Sequence, residues 1–427
     1  MKIRVPGDKS LTQRALILAA LGSGESRISG LLHGGDAAST AAAMRALGAE
    51  VGEIPADGSE LRVRGAGLHG LRPPEGGLDL GNSGTGARLL LGVLAGTPVR
   101  TRVTGDASLR TRPMARVTVP LAKMGATFSG PHDGDRLPLE VQGTRPLRPL
   151  EWDSPVASAQ VKSSLLLAGV TGGTFVRVTE PRRSRDHTER LLRHLGVPLE
   201  EGDAEGGWRV ELHDPPSSLS PLEFAVPGDI SSAAFFLALA AMGGAGELTV
   251  EEVGLNPTRT AFLDVLARMR APVKVEDARD EAGEPVGRLV AGAGELEATR
   301  VGEAEIPRLI DELPLVAVLG ARARGITHIT GAEELRHKES DRIDALVTNL
   351  RALGVTVEEA SDGLAVEGSE APLQGRVDSR GDHRIAMAFG VLGALKGNEI
   401  TVEGRDVAQV SFPGFWALLD RVAGNAP

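Results

Sequence analysis

The chain contains no cysteine. That excludes a disulfide framework, thiolate chemistry and any cysteine-ligated metal, and it fits a reducing cytoplasm as the expected setting. Lysine is scarce: seven residues, at positions 2, 9, 123, 162, 274, 338 and 396, stand against 40 arginines. Each lysine kept against that bias is a candidate for a specific task. Long apolar runs are also missing. The longest, Ala233 to Met242, has ten residues, about half of the roughly 20 needed to span a bilayer. The start, Met1-Lys2-Ile3-Arg4-Val5-Pro6, has no signal-peptide core, so neither export nor a membrane partner is expected. Finally, the chain lacks an excess of positive charge. With 57 acidic and 47 basic residues its net charge is -10, the wrong sign for a nucleic-acid surface. The expected partners are small molecules.

What is present is a turn-rich globular composition, with 55 glycines, 26 prolines and 41% hydrophobic residues over 427 positions. That length is too great for one ordinary core and suits two domains. A phrase of the type Leu-x-x-(Leu/Met)-Gly-(Ala/Val)-x-(Val/Phe) recurs along it. With Leu47, Met124, Leu195, Met269 and Leu353 as markers the gaps are 77, 71, 74 and 84 residues, and a degraded copy at Val422 follows after 69 more. In the copy at Met269, Arg270 replaces the glycine. Each phrase reads as a helix end, a glycine cap and a strand.

A second helix precedes each phrase, over Ser10 to Leu21, Thr85 to Leu94, Ala159 to Gly169, Ser231 to Met242, Leu313 to Ala323 and His383 to Leu395. The unit predicted is helix, strand, loop, helix, strand, repeated six times as two domains of three. Stretches such as Leu237-Ala238-Leu239-Ala240-Ala241 are apolar all round and belong inside. An ordinary doubly wound sheet is the alternative, but the long Val/Ile runs of parallel strands are missing.

The six earlier helices open on polar phrases: Pro6-Gly7-Asp8-Lys9-Ser10, Gly81-Asn82-Ser83-Gly84-Thr85, Ser158-Ala159-Gln160-Val161-Lys162, Gly228-Asp229-Ile230-Ser231, Ile310-Asp311-Glu312-Leu313 and Gly381-Asp382-His383-Arg384. Free N–H groups and the positive helix end make such starts anion sites. Simple capping also accounts for several of them: Ser10 with Gln13 reads as a capping box, and Asn82 and Ser158 as N-caps. Capping does not call for Lys9, Arg14 or Arg88 beside the caps. Loops before the later helices add Arg112, Arg185, Arg259 and the run Arg336-His337-Lys338-Glu339-Ser340-Asp341-Arg342. Lys338 and Arg342 read as like charges one helical turn apart, a small cost that suggests an anionic ligand. Arginine forks suit carboxylates and phosphates, so Arg112, Arg342 and Arg384 read as anion clamps. Asp311 and Glu339 are the acids beside these cations, and a carboxylate so held can still take a proton in a transition state. The phosphate-loop order fails because Asp8 precedes Lys9. The nine histidines show no paired metal spacing, so no metal is expected, and His187 and His383 read as structural.

Taken together, these phrases, with Glu334 to Arg342 and Asp382-His383-Arg384, resemble the 5-enolpyruvylshikimate-3-phosphate synthase (3-phosphoshikimate 1-carboxyvinyltransferase) family from Pro6 to about Pro413. The resemblance implies an α/β (α+β) fold of two domains, each of three repeats with buried helices and outer sheets, an inverse α/β barrel of the enolpyruvyl transferase kind. Residues 1–8 and 227–427 would form one domain and residues 9–226 the other, with the active site in the cleft between them and closure around the substrates. The implied reaction moves the enolpyruvyl group of phosphoenolpyruvate to the 5-hydroxyl of shikimate 3-phosphate through a tetrahedral intermediate, in a monomer that needs no cofactor. Asp311 would accept the hydroxyl proton, and Glu339, assisted by Lys9, would protonate the methylene. Shikimate 3-phosphate would be held by Lys9, Ser10, Arg14, Ser158, Ala159, Gln160, Arg185, Asp311 and Lys338. Phosphoenolpyruvate would be held by Lys9, Gly84, Arg112, Gln160, Arg342 and Arg384, and Gly84 would leave room for the herbicide glyphosate.

Two departures stand out. Val410 occupies a position where many members have lysine, so one phosphate contact is lost or replaced, and Ala159 stands where some have serine. Of the rivals, UDP-N-acetylglucosamine enolpyruvyl transferases typically carry Lys-Asn where this chain has Lys9-Ser10, and usually a reactive cysteine. An RNA-end-binding or cyclising protein with similar repeats would need a basic surface.

Overall fold

The computed structural model describes residues 1–424. The chain divides into two compact units, one of residues 7–226 with Asp280–Glu284, the other of Met1–Pro6, Pro227–Arg279 and Pro285 onward.

The six repeats are present. Their earlier helices are Lys9–Leu21, Gly84–Ala95, Ala159–Gly172, Ile230–Ala241, Leu313–Gly320 and His383–Gly393. Their later helices are Gly35–Ala46, Ala115–Met124, His187–His194, Ala261–Arg268, Arg342–Ala352 and Phe415–Ala423. The predicted unit was nevertheless incomplete. A full repeat runs strand, helix, strand, helix, strand, strand, as in Leu78–Asp79, Gly84–Ala95, Arg100–Thr104, Ala115–Met124, Thr127–Ser129 and Leu139–Gln142. Its first strand lies parallel to the second (Leu78 opposite Val103), and the last lies antiparallel between the second and third (Thr101 opposite Val141, Phe128 opposite Val141). In this repeat the missed strands are two and four residues long, too short for period-two alternation to register.

Five such four-stranded sheets form, and the sixth repeat keeps only Gln374–Asp378 beside Glu399–Glu403. The sheets are separate and open, with no closed barrel among the described residues, and the helices lie inside them as the repeated-unit fold expects. Along Arg100–Thr104 and Leu61–Arg64 buried and exposed positions alternate, so one sheet face meets the helices and the other meets water. Two first strands come from a distance: Glu223–Ala225 pairs with Glu25–Ser29, and Lys2–Arg4 pairs with Leu248–Gly254. Each unit is thereby completed by a strand that its own first repeat does not supply.

Helices inside the sheets must bury every side, and they do so with small residues. All twelve residues of Ile230–Ala241 are buried. In the 7–226 unit, Gly84–Ala95 crosses Ala159–Gly172 so closely that a Cβ on Gly92 would collide with the Ser164 carbonyl. Ser164 and Thr171 give their hydroxyl protons to the carbonyls of Arg88 and Val93, at 2.8 and 3.2 Å, which satisfies the polar groups this contact buries. The predicted cap glycines Gly48, Gly125, Gly196 and Gly354 all have left-handed φ, between 80° and 117°, and Arg270 takes the same conformation at 60°.

Candidate active site

Sequence-predicted residues in the 7–226 unit gather at three helix starts. Asp8, 3% exposed, caps Lys9–Leu21 by accepting the Leu11 N–H at 2.9 Å. The expected Ser10–Gln13 box does not form, because a carboxylate one residue earlier satisfies the helix end and complements its dipole. Gln13 donates to Ser83 Oγ at 2.6 Å instead. Lys9 is the first helical residue, with its ammonium 3.4 Å from Asp36. Arg14 is buried and donates to Thr188 Oγ1, the Ser10 carbonyl and Ser163 Oγ at 2.8, 3.0 and 3.1 Å. Burial pulls its pKa down to about 10, and Arg185 adds to that against the acids Glu189 and Asp8.

At the second start Ser83, not Asn82, is the cap, accepting the Gly86 N–H at 3.0 Å. Asn82 is thereby free to bridge, donating to Asp106 Oδ2 at 2.7 Å and accepting from Arg112 at 3.0 Å. Gly84 opens the helix, and a Cβ there would lie 3.2 Å from the NH1 atoms of both Arg112 and Arg88. At the third start Ser158 caps, Ala159 opens the helix, and Gln160 donates to Thr85 Oγ1 at 2.9 Å while its carbonyl accepts from Arg88 NH1 at 2.8 Å. Gly84, Arg112 and Gln160 thus meet around Arg88. Among the described residues Arg14, Arg88 and Arg112 form no ion pair. Burial, then the neighbours Arg116 and Arg112, pull the Arg88 pKa down to about 10. The crowding of Arg88 and Arg112, neither in an ion pair among the described residues, makes this place a receptor for an anion.

In the 227–427 unit the charges are matched. Arg342, 1% exposed, donates from Nε to Asp382 at 2.7 Å and from NH2 to Glu339 at 2.8 Å, and its NH1 lies 3.8 Å from Asp311. Burial opposes its charge, yet Asp382, Glu339 and Asp311 outweigh burial and hold its pKa above the ordinary arginine value. Asp382 also caps His383–Gly393 through the Arg384 N–H at 2.8 Å. Asp311 sits in the turn between Ile306–Leu309 and Leu313–Gly320, where two prolines at helix starts fix the break. Arg259 pairs with Asp229 at 3.2 Å.

Arg384 is the exception in this unit. It is buried with its guanidinium carbon 5.8 Å from the Phe235 ring, and among the described residues it forms no ion pair. Lys338 follows the 3-10 helix Glu333–His337 and pairs with Glu334 at 3.3 Å. It lies outside the Arg342–Ala352 helix, so the expected like-charge repulsion across a helical turn does not arise. Val410, 47% exposed, ends the 3-10 helix Arg405–Val410.

Sequence reasoning did not find the support beneath these groups. Lys162, fully buried, pairs with Glu180 at 2.6 Å and Glu189 at 2.9 Å. Glu180 also accepts the N–H groups of Ser158 and Ser184, at 3.3 and 2.8 Å, and so ties the third helix start to the loop that carries Arg185. Burial works against the charge of both partners. The two glutamates outweigh it at Lys162, whose pKa is raised, whereas at Glu189 burial prevails over Lys162 and pushes the carboxyl up. The scarcity of lysine was the available signal for Lys162. His187 meets Glu284 at 2.7 Å. Glu200, Glu211 and His213 lie within metal-ligand reach of one another, but Arg177 and Arg209 occupy Glu211 at 2.5 and 3.0 Å.

A family model described as EPSP synthase (3-phosphoshikimate 1-carboxyvinyltransferase) matches residues 1–419. A protein of Synechococcus sp. (strain WH7803) named 3-phosphoshikimate 1-carboxyvinyltransferase is 49% identical over 98% of this chain and 95% of its own length. One of the same name from Geobacter sulfurreducens is 47% identical over 99% and 96%. The solved EPSP synthase of Acinetobacter baumannii superposes with a TM-score of 0.89 at 38% identity, covering 99% of this chain and 95% of that one. The enolpyruvyl transferase NikO from Streptomyces tendae shares the fold, with a TM-score of 0.77 at 19% identity over 99% of this chain and 94% of its own.

Proposed function

The chain belongs to the EPSP synthase (3-phosphoshikimate 1-carboxyvinyltransferase) family, and from that premise we propose how its residues divide the reaction. It transfers the enolpyruvyl group of phosphoenolpyruvate to the 5-hydroxyl of shikimate 3-phosphate and releases phosphate, a step of the shikimate pathway to chorismate and aromatic amino acids. A bond forms between the hydroxyl oxygen and the central carbon of phosphoenolpyruvate while the methylene gains a proton. The resulting tetrahedral intermediate then loses phosphate and returns a methyl proton.

Asp311 takes the hydroxyl proton and Glu339, assisted by Lys9, supplies the methylene proton. Ser10, Arg14, Ser158, Ala159, Gln160, Arg185 and Lys338, with Lys9 and Asp311, hold shikimate 3-phosphate. Gly84, Arg112, Gln160, Arg342 and Arg384, with Lys9, hold phosphoenolpyruvate. The observation that carries this division is the convergence of Asp311 and Glu339 on one buried guanidinium, that of Arg342. Two acids held by one cation exchange charge with a substrate at low reorganisation. That Arg112 and Arg384 form no ion pair among the described residues supports their role as anion holders. Arg14 gives three of its donors to protein groups, which supports a role in shaping the site as well as binding. A monomer in the cytoplasm completes the proposal.

The test is phosphate release from phosphoenolpyruvate with either shikimate 3-phosphate or UDP-N-acetylglucosamine as acceptor. Release is expected with the first alone, and release only with the second would overturn the assignment. Glyphosate is expected to compete with phosphoenolpyruvate, and full activity at millimolar glyphosate would remove that expectation.

A further inference from the structure

Arg88 touches two of the groups assigned to phosphoenolpyruvate, and the residue next to a third, without being one of them. Its NH1 donates to Gln160 Oε1 at 2.8 Å and leans on the Gly84 carbonyl at 3.4 Å. Its NH2 donates to the carbonyl of Pro113, the residue after Arg112, at 3.0 Å. These partners come from three segments, the second and third helix starts and the loop between them. Arg88 forms no ion pair among the described residues, and its Nε is buried without an acceptor.

The chemistry of the Gln160 contact is directional. A guanidinium only donates, so the amide atom that faces Arg88 has to be the carbonyl oxygen. The NH2 end, held at Thr85 Oγ1 at 2.9 Å, is then the face left for a ligand. An amide free to rotate would present its carbonyl half of the time and repel a carboxylate or phosphate. The Pro113 contact fixes the segment from which Arg112 projects. Nothing in capping or in core packing calls for a half-buried cation here beside Arg112 and Arg116.

Resting on the reading of the site above, we propose that Arg88 is the positioning residue of the phosphoenolpyruvate half-site, setting the Gln160 amide with its NH2 toward the anion and anchoring the Arg112 loop.

The experiment compares Arg88→Met, Arg88→Lys, Gln160→Ala and the Arg88→Met/Gln160→Ala double variant in steady-state assays that vary each substrate separately. Arg88→Met is expected to raise KM for phosphoenolpyruvate at least about tenfold, the size of one charge-assisted hydrogen bond, and KM for shikimate 3-phosphate less than about threefold. Arg88→Lys keeps the charge but cannot reach Gln160 and Pro113 together, so it falls between the two. Because Arg88 acts through Gln160, the double variant should raise KM for phosphoenolpyruvate by clearly less than the product of the two single effects. Mere loss of folded enzyme would lower kcat for both substrates and move neither KM. An unchanged KM for phosphoenolpyruvate in Arg88→Met, with a raised one in Gln160→Ala, overturns the positioning role. If Gln160→Ala and Arg112→Met also leave it unchanged, the assignment of the half-site falls instead.

Discussion

Apart from Lys9–Leu21, which Asp8 caps, the earlier helices of the two compact units begin with opposite chemistry. In the 7–226 unit the starts at Gly84 and Ser158 carry no acid, and among the described residues Arg88 and Arg112 beside the first of them form no ion pair. In the 227–427 unit the starts carry Asp229, Glu312 and Asp382, and Arg259 and Arg342 are neutralised by acids of these or adjoining positions. The same repeat has thus been filled in two ways. A helix start without an acid keeps its cations available for a bound anion, whereas one with an acid holds its cation in place and keeps carboxylates ready for proton transfer.

This contrast makes the same substitution act differently in the two units. The largest effect is expected from Arg342→Met. It leaves Asp382, which is fully buried, without its main counter-charge, and breaking a buried pair costs about 3–5 kcal/mol. Urea unfolding should show that loss, and a midpoint equal to the parent's would mean that the matched-charge account of this unit is wrong. Next comes Asp311→Ala, expected to lower turnover at least about 100-fold, as the loss of a general base does, with the fold intact because Asp311 lies in a turn, 23% exposed at its side chain. Near-normal phosphate release would remove Asp311 from that role. Third is Arg112→Met, the counterpart of the Arg342 change in the other unit. Its guanidinium donates to the neutral Asn82 and forms no ion pair among the described residues, so stability should shift by less than about 1 kcal/mol while KM for phosphoenolpyruvate rises at least about tenfold. A stability loss as large as that of Arg342→Met would erase the distinction between the units.

How far the sequence displayed this arrangement depends on the range of each interaction. The cap glycines and the apolar helices were legible because each is a local pattern, one residue with a left-handed φ or one stretch without polar residues. The two-residue strands such as Leu78–Asp79 were not, because only pairing with a distant partner defines them. Helix starts were legible to within a residue, yet the wrong caps were chosen at Ser10 and Asn82. Asp8 outcompetes a serine for the helix dipole, and Asn82 is drawn away by Asp106 and Arg112, 24 and 30 residues off. Lys338 and Arg342 looked like neighbours on one helix because spacing alone does not reveal the break at Ser340, where the 3-10 helix has already ended. The Lys162–Glu180–Glu189 cluster and the hold of Arg88 on Gln160 join segments 18 to 72 residues apart, which no window along the chain covers.

The smallest effect tests whether the repeats obey one backbone rule across both units. Position 270 corresponds to Gly48, Gly125, Gly196 and Gly354, and all five have left-handed φ. An L-residue with a side chain pays about 1 kcal/mol or more there, and a single exposed ion pair, Arg270 with Glu297 at 2.9 Å, returns at most a fraction of that. Glycine removes the strain but gains freedom in the unfolded chain, which cancels part of the benefit. Arg270→Gly should therefore stabilise the 227–427 unit by about 0.5 kcal/mol, read as a rise of about 1–2 °C in its melting temperature. The corresponding reverse change, Gly196→Arg, has nothing within 4 Å to strike and should lower the melting temperature of the 7–226 unit by a similar amount. If the two substitutions moved stability in the same direction, conformation at the cap would not be what these glycines share.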